Sequence, residues 1–545
     1  MKKLNLFLLV AAFFVAAFFR FYHLANLPAG FHVDEAIIGA NANFILHTAR
    51  DTNNSFLPLQ TEVFKDYNPT GYAYLAILPI KLMGLNEFAT RLPGALLNCM
   101  TVFAIFLLVY AILESFSIAI LSAVFFALSP WDIVISRSSE ERAASLFFVV
   151  LGFALLIYSV KKEKIMYLLA SFFVLALSYF MYFTPRVFVP LFFAAFFIPW
   201  KYWWKKRKTK FVKLFFCAFV ILGLTATLLL MGVQGGSNRF KQVSIFGFPE
   251  TKLVQEEQIR EDGVMNTPVL VTRTFHNKII AYGYTYVSNY LRYFSSDFLF
   301  MKGGLPIWFS VPQMGLVYLI ELPFILFGMH RFFIEKKKWS FLLFAWLFLA
   351  PVAASFTADD SPNVRRSLLL VPAIEAFAAY GMIRFFVMIP KKLRKIFLAF
   401  VLLLFIFNIG YFMHAYFVHS TIHRNWYRNQ GYNRMINEVK KVYTNYDHII
   451  ISKSTGNYSE VLFYMNYNPA AYLKEGAPKD AEYKGFGKFF FVPADCPFDK
   501  KDKRLPKGKN LYVEDGRCSD TRGTAVKQMY IKLLDGTPVF LMVYE

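Results

Sequence analysis

Eleven apolar runs of spanning length dominate this chain, near residues 4–22, 89–112, 116–134, 143–160, 165–183, 187–204, 211–231, 313–333, 339–356, 367–389 and 396–418. A helix of about 18–20 apolar residues covers the roughly 30 Å hydrocarbon core of a bilayer. Inside that core a backbone amide finds no water, so a run of this kind must satisfy its own hydrogen bonds as a helix. Of the 545 residues, 57% are hydrophobic and 64 are Phe, more apolar surface than a soluble globule of this size hides. The expected fold class is therefore a mainly α polytopic membrane protein.

A formal charge of +23 would suit a nucleic-acid partner if it formed one face. Instead the bases gather in short runs between apolar stretches: Lys161-Lys162-Glu163-Lys164, Lys205-Lys206-Arg207-Lys208, Lys336-Lys337-Lys338 and Lys391-Lys392-Leu393-Arg394-Lys395. Runs at span ends follow the positive-inside rule, and no nucleic-acid partner is expected.

The same rule decides an ambiguous stretch, Gly71 to Leu85, which has only 15 residues and contains Pro79 and Lys81. If it does not cross, 20 Lys and Arg residues at the span ends fall on one face. Only Arg137, Arg142, Arg186, Arg365 and Arg366 lie in the short loops opposite. If it crossed, 18 of those 20 would move to the outside. The stretch thus reads as an interfacial helix in a long first outer loop, 23–88, and a second long outer loop covers 232–312. Lys2-Lys3 precede an apolar run without a small-x-small cleavage site, so the first span reads as a retained anchor with a cytoplasmic N-terminus.

Beyond Val418 the chain turns polar, with strand-like runs at Tyr446–Ser452, Lys488–Val492 and Thr537–Val543. These imply a membrane domain, 1–418, followed by a small extracytoplasmic α/β domain, 419–545. Cys99 and Cys217 fall inside spans. Cys496 and Cys518 fall in the outer domain, as a disulfide or as two free thiols. The sequence carries no short-period repeat, no Walker or Rossmann glycine fingerprint and no metal-type Cys/His spacing.

The chemistry-bearing residues sit at outer span ends. Asp34 and Glu35 follow the first span in Phe31-His32-Val33-Asp34-Glu35. A carboxylate there can take the proton from an acceptor hydroxyl, or help hold a divalent cation. Adjacent side chains point apart, so one can act while its neighbour orients the loop. The plainer alternative makes Asp34 the N-cap of a helix beginning at Ala36. The second outer turn carries Asp132, Arg137, Glu140, Glu141 and Arg142. Arginine's planar fork suits a phosphate, and local ion pairing is the competing reading. Arg186, Arg365 and Arg366 lie on the same outer side; at least one of them is expected at a lipid phosphate, with interfacial snorkelling as the alternative for any single one. His32, Lys65 and Asp66 are supporting candidates, each with a bland reading as a loop hydrogen-bonder or helix-end group.

With these residues assembled, the chain resembles the GT-C membrane glycosyltransferases, in the branch of protein O-mannosyltransferases and aminoarabinose transferases. The likeness rests on Asp34-Glu35 after the first span and on Tyr67-Asn68-Pro69-Thr70-Gly71-Tyr72 ahead of a horizontal helix. It continues with Gly84-Leu85-Asn86-Glu87-Phe88-Ala89-Thr90-Arg91-Leu92-Pro93 and the Ser129–Arg142 turn, covering roughly the first 190 residues. The resemblance implies transfer of a sugar, with inversion, from a polyprenyl-phosphate donor on the outer leaflet. It makes Asp34 the key acid and maps a second-turn acid onto Glu141, with Glu140 next to it. A divalent cation, Mg or Mn, at Asp34 and Glu141 is the alternative use of these acids. Where relatives carry Glu-Lys-Pro before the horizontal helix this chain has Tyr67-Asn68-Pro69, and where they carry Asp in the second turn it has Glu. The Trp-Trp-Asp-Tyr-Gly signature of oligosaccharyltransferases is absent, which disfavours block transfer to Asn.

The expected function is thus transfer of a monosaccharide to an acceptor hydroxyl of a protein, lipid or glycan, at the outer face of a prokaryotic plasma membrane. The rivals are a flippase or transporter of lipid-linked sugars, which calls for charges deep in spans and internal symmetry, and a membrane scaffold, whose outer acids would be dispensable.

Overall fold

The computed structural model describes residues 2–63, 66–198, 209–231, 242–335, 339–423, 428–453, 458–476, 483–500, 503–518 and 527–545. The chain separates into two compact units. The first comprises Met1–Tyr22, Ala95–Ser136 and Glu141–Met413; the second comprises His23–Gly94, Arg137–Glu140 and His414–Glu545.

The first unit is helical. Each expected span has a helical counterpart, from Lys2–Phe21 through Glu141–Lys162, Thr209–Met231 and Val371–Met388 to Arg394–His414. Among the described residues, five helices are long and apolar enough to cross a membrane, and a sixth candidate is bent. This is an integral membrane protein. The bend, 54° between Phe116–Leu128 and Pro130–Ser136, falls at Ser129. Pro130 has no amide hydrogen and disfavours helical geometry in the residue before it, and Ser129 takes ψ 117°.

Two expectations shift in detail. The run expected at 313–333 becomes α-helical only at Leu322, after a 3-10 turn at Leu319–Glu321, because Leu316 and Val317 both donate to the Leu299 carbonyl, at 2.8 Å each. Gly315 permits that approach, since a Cβ there would stand 2.2 Å from the Phe300 carbonyl carbon. The Gly71–Met83 helix has 13 residues. Its length of about 20 Å is too short for a bilayer core, in keeping with an element that does not cross. Elsewhere in the first unit Leu322–Glu335 packs against Val371–Met388 through Gly328 and Gly381. Added Cβ atoms there would stand 2.1 Å from the Phe377 oxygen and 1.9 Å from the Phe324 oxygen. Small residues at such a crossing let two backbones meet where lipid supplies no hydrophobic drive.

The second unit is built on a six-stranded mixed sheet of order β4-β5-β3-β6-β8-β7. Its strands are β3 (His448–Ser452), β4 (Lys484–Phe486), β5 (Phe489–Val492), β6 (Asn510–Asp515), β7 (Lys527–Lys532) and β8 (Pro538–Tyr544). β3 runs parallel to β5 and β6, with Ile450 opposite Phe490 and Tyr512. Cys496 and Cys518 are joined by a disulfide across a separation of 22 residues. A two-stranded hairpin, β1 (Gln60–Val63) with β2 (Asp66–Pro69), belongs to the first-loop segment.

The core of this unit joins distant parts of the chain. Ile37, Ala40 and Phe44, on one face of the Val33–Thr48 helix, are buried in one cluster with Ile449, Ile451, Val461, Leu462, Phe489, Leu511 and Met542. The fit is close: a Cβ on Gly39 would lie 2.5 Å from the Phe463 ring. The helix bearing the Asp-Glu pair is therefore a core element of the C-terminal sheet domain, and burial of its apolar face fixes its place there.

Candidate active site

The Val33–Thr48 helix starts three residues earlier than the capping alternative supposed, and His32 rather than Asp34 is its N-cap. The His32 ring nitrogen Nδ1 accepts from the Asp34 amide at 3.2 Å, and the His32 amide donates to Glu35 Oε1 at 3.4 Å. This reciprocal box satisfies two amides that the helix start would otherwise leave without partners. It also separates the two acids. Glu35 turns inward and is 3% exposed; the Asp34 side chain is 45% exposed, with Oδ2 3.6 Å from His32 Nδ1.

Glu35 is held from three directions. Arg91 grips both carboxylate oxygens, Nε to Oε2 at 2.8 Å and Nη2 to Oε1 at 3.2 Å. Arg428 Nη1 donates to Oε1 at 3.2 Å, and the Ser139 amide to Oε2 at 3.1 Å. Arg91 spends its other donors on the carbonyls of Leu24, Ala25, Pro28 and Gly30. Arg428 Nη2 donates to Ser138 Oγ at 2.9 Å. Burial alone would raise the Glu35 pKa, but the two guanidiniums and the Ser139 amide outweigh it and hold the carboxyl below its ordinary value. A carboxylate so occupied is a clamp on the loop, and Asp34 is the acid that faces outward.

A further carboxyl lies close enough to feel Asp34. Glu460, on the Tyr458–Met465 helix, is fully buried and accepts from Ser459 Oγ at 2.8 Å and from Asn429 Nδ2. Burial, and to a lesser degree the charge of Asp34, push its pKa up to about 7. In the same unit Arg137 is buried, donates to the Leu27 carbonyl at 3.1 Å and lies over the Phe417 ring. Glu140 is 5% exposed and acts electrostatically on Arg428. Asp66 opens β2 and accepts from the Tyr67 amide. Lys65 lies outside the described residues.

The remaining candidates belong to the first unit. Glu141 opens the Glu141–Lys162 helix and pairs with Arg142 at 3.4 Å, while the Arg142 guanidinium stacks over Tyr182 at 4.3 Å. Arg366 forms a two-point pair with Asp359, 2.7 Å on each side. Burial opposes the charge of Arg366, but Asp359 and Tyr182 outweigh burial and Arg142, so its pKa is raised. Arg142, Arg366 and Tyr182 are thus gathered in one neighbourhood. Arg365 lies over the Phe309 ring. Arg186 is absorbed in structure: it donates to the Tyr179 carbonyl and, at 3.0 Å, to the Leu229 carbonyl, closing two apolar helices. Asp132 lies inside the helical unit, fully buried and paired with Arg20 at 2.6 Å.

Sequence reasoning missed Arg91, Arg428, Ser139 and Glu460. Arg91 stood within a quoted motif without a role. Arg428 and Glu460 lie beyond the last span, where no local pattern signals a partner near residue 35. Among the described residues no group of three His, Cys, Asp or Glu side chains is arranged to hold a metal ion.

Residues 67–226 match the family described as dolichyl-phosphate-mannose-protein mannosyltransferase. No curated protein sequence matches the chain. Among solved structures, the oligosaccharyltransferase AglB of Archaeoglobus fulgidus, in complex with an inhibitory peptide and a dolichol-phosphate, superposes with a TM-score of 0.51 at 11% identity. That match covers 94% of this chain and 69% of AglB. ArnT of Cupriavidus metallidurans, in its apo state, superposes with a TM-score of 0.52 at 11% identity, over 99% of this chain and 97% of ArnT. At these identities the likeness is one of fold, and it agrees with the fold that the sequence resemblance implied.

Proposed function

We propose that this protein is a GT-C-type glycosyltransferase that moves a monosaccharide from a polyprenyl-phosphate donor to an acceptor hydroxyl, with inversion, at the extracytoplasmic face of a prokaryotic plasma membrane. The observation that carries the reading is the division of labour at the helix start: Glu35 is buried and saturated, while Asp34 faces outward one residue before it. In this reading Asp34 takes the proton of the acceptor hydroxyl as its oxygen attacks the anomeric carbon. The bond from that carbon to the phosphate oxygen breaks, and polyprenyl phosphate leaves with the bonding electron pair. The leaving phosphate is assigned to arginine, because donors fixed in place stabilise the charge that develops there. The match of residues 67–226 to a dolichyl-phosphate-mannose-using family supports a lipid-linked donor, and so does the dolichol-phosphate bound to AglB.

A transporter of lipid-linked sugars is favoured by one observation, the charges buried in the helical unit. Arg20 and Asp132 are fully buried, and the buried carboxyls of Glu321 and Glu375 lie within hydrogen-bonding reach of each other. These groups sit at helix ends rather than in a row along a span: Asp132 is third in Pro130–Ser136, Glu321 directly precedes Leu322–Glu335 and Glu375 is fifth in Val371–Met388. A patch at one level gives no path across a membrane, so the transferase reading is preferred.

Membranes carrying wild-type or Asp34→Asn protein, supplied with radiolabelled polyprenyl-phosphate sugars, test it. Asp34-dependent passage of label from lipid to a new product, retained in the presence of a chelator, is expected. Normal transfer by Asp34→Asn would remove the base assignment; loss on chelation would make Asp34 a ligand to a cation instead.

A further inference from the structure

The segment after residue 242 contains three helices, Glu250–Val264, Val269–Phe275 and Lys278–Arg292. The last is amphipathic with its faces reversed. Tyr282, Thr285, Tyr286, Asn289 and Tyr293 face the protein: Asn289 donates to the carbonyls of Ser355 and Thr357, Tyr293 to that of Ala354, and the Tyr286 ring lies 4.5 Å from Phe356. Ile280, Tyr284, Val287 and Leu291, on the opposite face, point outward, with Tyr284 76% and Leu291 60% exposed. The Val269–Phe275 helix buries none of its residues, and Leu270 is 79% exposed. A helix facing water places its apolar stripe against the core. One that turns its polar stripe inward and its apolar stripe outward is matched to a medium less polar than water.

Charge and continuity name the medium. From Val269 to Arg292 the sequence has no Asp or Glu, and its three strong bases, Arg273, Lys278 and Arg292, are all exposed. The preceding Glu250–Val264 helix instead carries five acids, Glu250, Glu256, Glu257, Glu261 and Asp262. Beyond its outward face the Lys278–Arg292 helix joins an apolar helix, Phe341–Ser355, through the Tyr290 hydroxyl on the Phe348 carbonyl at 2.8 Å and through the tilted ring pair of Phe294 and Phe348, 6.0 Å apart. A cavity of about 390 Å³ opens beside Tyr284, Val287, Ser288, Leu291, Arg292 and Ser295, an apolar floor with one guanidinium and three hydroxyls.

We infer that Val269–Arg292 is a lipid-docking element: its apolar stripe enters the acyl-chain boundary of the bilayer, and Arg273, Lys278 and Arg292 meet anionic phospholipid headgroups. This part of the segment read from sequence as a long outer loop, 232–312, thereby becomes part of the membrane surface of the protein. Tyrosines at the apolar–polar border and long basic side chains reaching back to the phosphates suit that depth.

The full-length protein in phospholipid vesicles tests this, with Cys217→Ser removing the exposed free thiol. An environment-sensitive fluorophore is attached at Tyr284→Cys, or at Glu257→Cys as the aqueous reference. The label at 284 is expected to be quenched by nitroxides borne on lipid chains and shielded from aqueous iodide, with the reverse at 257. Equal iodide quenching at the two positions overturns the docking. Combined Arg273→Gln, Lys278→Gln and Arg292→Gln substitutions are expected to restore iodide access at 284 in vesicles containing phosphatidylglycerol and to leave pure phosphatidylcholine vesicles unchanged. The same response in both lipids overturns the headgroup assignment.

Discussion

Arg428 Nη1 donates to Glu35 Oε1 at 3.2 Å although 393 positions separate the two residues. The contact is supported by a close backbone approach: Gly30, at φ +81°, leaves room that a Cβ would lose to the Arg428 carbonyl, 2.4 Å away. Through this pair the sheet domain sets the orientation of the loop that displays Asp34.

The two adjacent acids should fail in different ways. Asp34→Asn is expected to lower transfer by about 10²–10⁴-fold, the usual contribution of a general base, with an unchanged melting temperature. Glu35→Ala leaves Arg91 and Arg428 buried against no carboxylate, and should cost about 3–5 kcal/mol of stability. Thermal unfolding measured beside sugar transfer separates them; a folding defect in Asp34→Asn would contradict the division of roles.

Glu35 and Glu460 should tilt stability with pH in opposite senses. The folded pKa of Glu35 is depressed, so its contribution is present above the unfolded value, 4.5, and is lost as pH falls. That of Glu460 is raised to about 7, so its contribution is present below 4.5 and lost as pH rises through 7. Glu460→Gln is expected to match wild type near pH 4 and to exceed it by about 3 kcal/mol at pH 8, the free energy of a shift from 4.5 to about 7. Melting temperature against pH reads this directly, and identical alkaline limbs for the two proteins would refute it.

The Gly328–Gly381 crossing predicts a packing defect confined to the helical unit. Gly381→Val should force the Leu322–Glu335 and Val371–Met388 helices apart, since even a Cβ would stand 1.9 Å from the Phe324 oxygen. A loss of about 1–3 kcal/mol, typical of overpacking, is expected. Ser substitution at exposed Gly283, which meets nothing within 4 Å, should leave the melting temperature nearly unchanged.

The Cys496–Cys518 bridge closes a loop of 22 residues. Reducing it, or replacing both residues with Ser, should destabilise the sheet domain by about 3 kcal/mol on chain-entropy grounds. Because Val33–Thr48 shares that domain's core, proteolysis of the first-loop segment should accelerate in parallel; protection of that segment while the sheet domain is cleaved would break the link.

The membrane class, the helical counterparts of the spans and three strands of the C-terminal sheet were legible in sequence because each depends on local composition. A run of twenty apolar residues has no other way to satisfy its amides in lipid, and the short β-branched and aromatic runs at Tyr446–Ser452 and Lys488–Val492 reappear as β3 and β5. Proximity at the membrane surface also marked Asp34 as a candidate before any coordinates. What the tertiary structure decided was which acid faces outward, that Arg186 is spent on the Tyr179 and Leu229 carbonyls, and that the first-loop helix is core to a domain beginning some 400 residues later. Those outcomes rest on contacts such as Glu35 with Arg428 and Gly39 with Phe463, whose energies depend on burial and distance in space. Nothing in the spacing of residues along the chain encodes them, because the folded core brings those positions together only once its apolar faces have met.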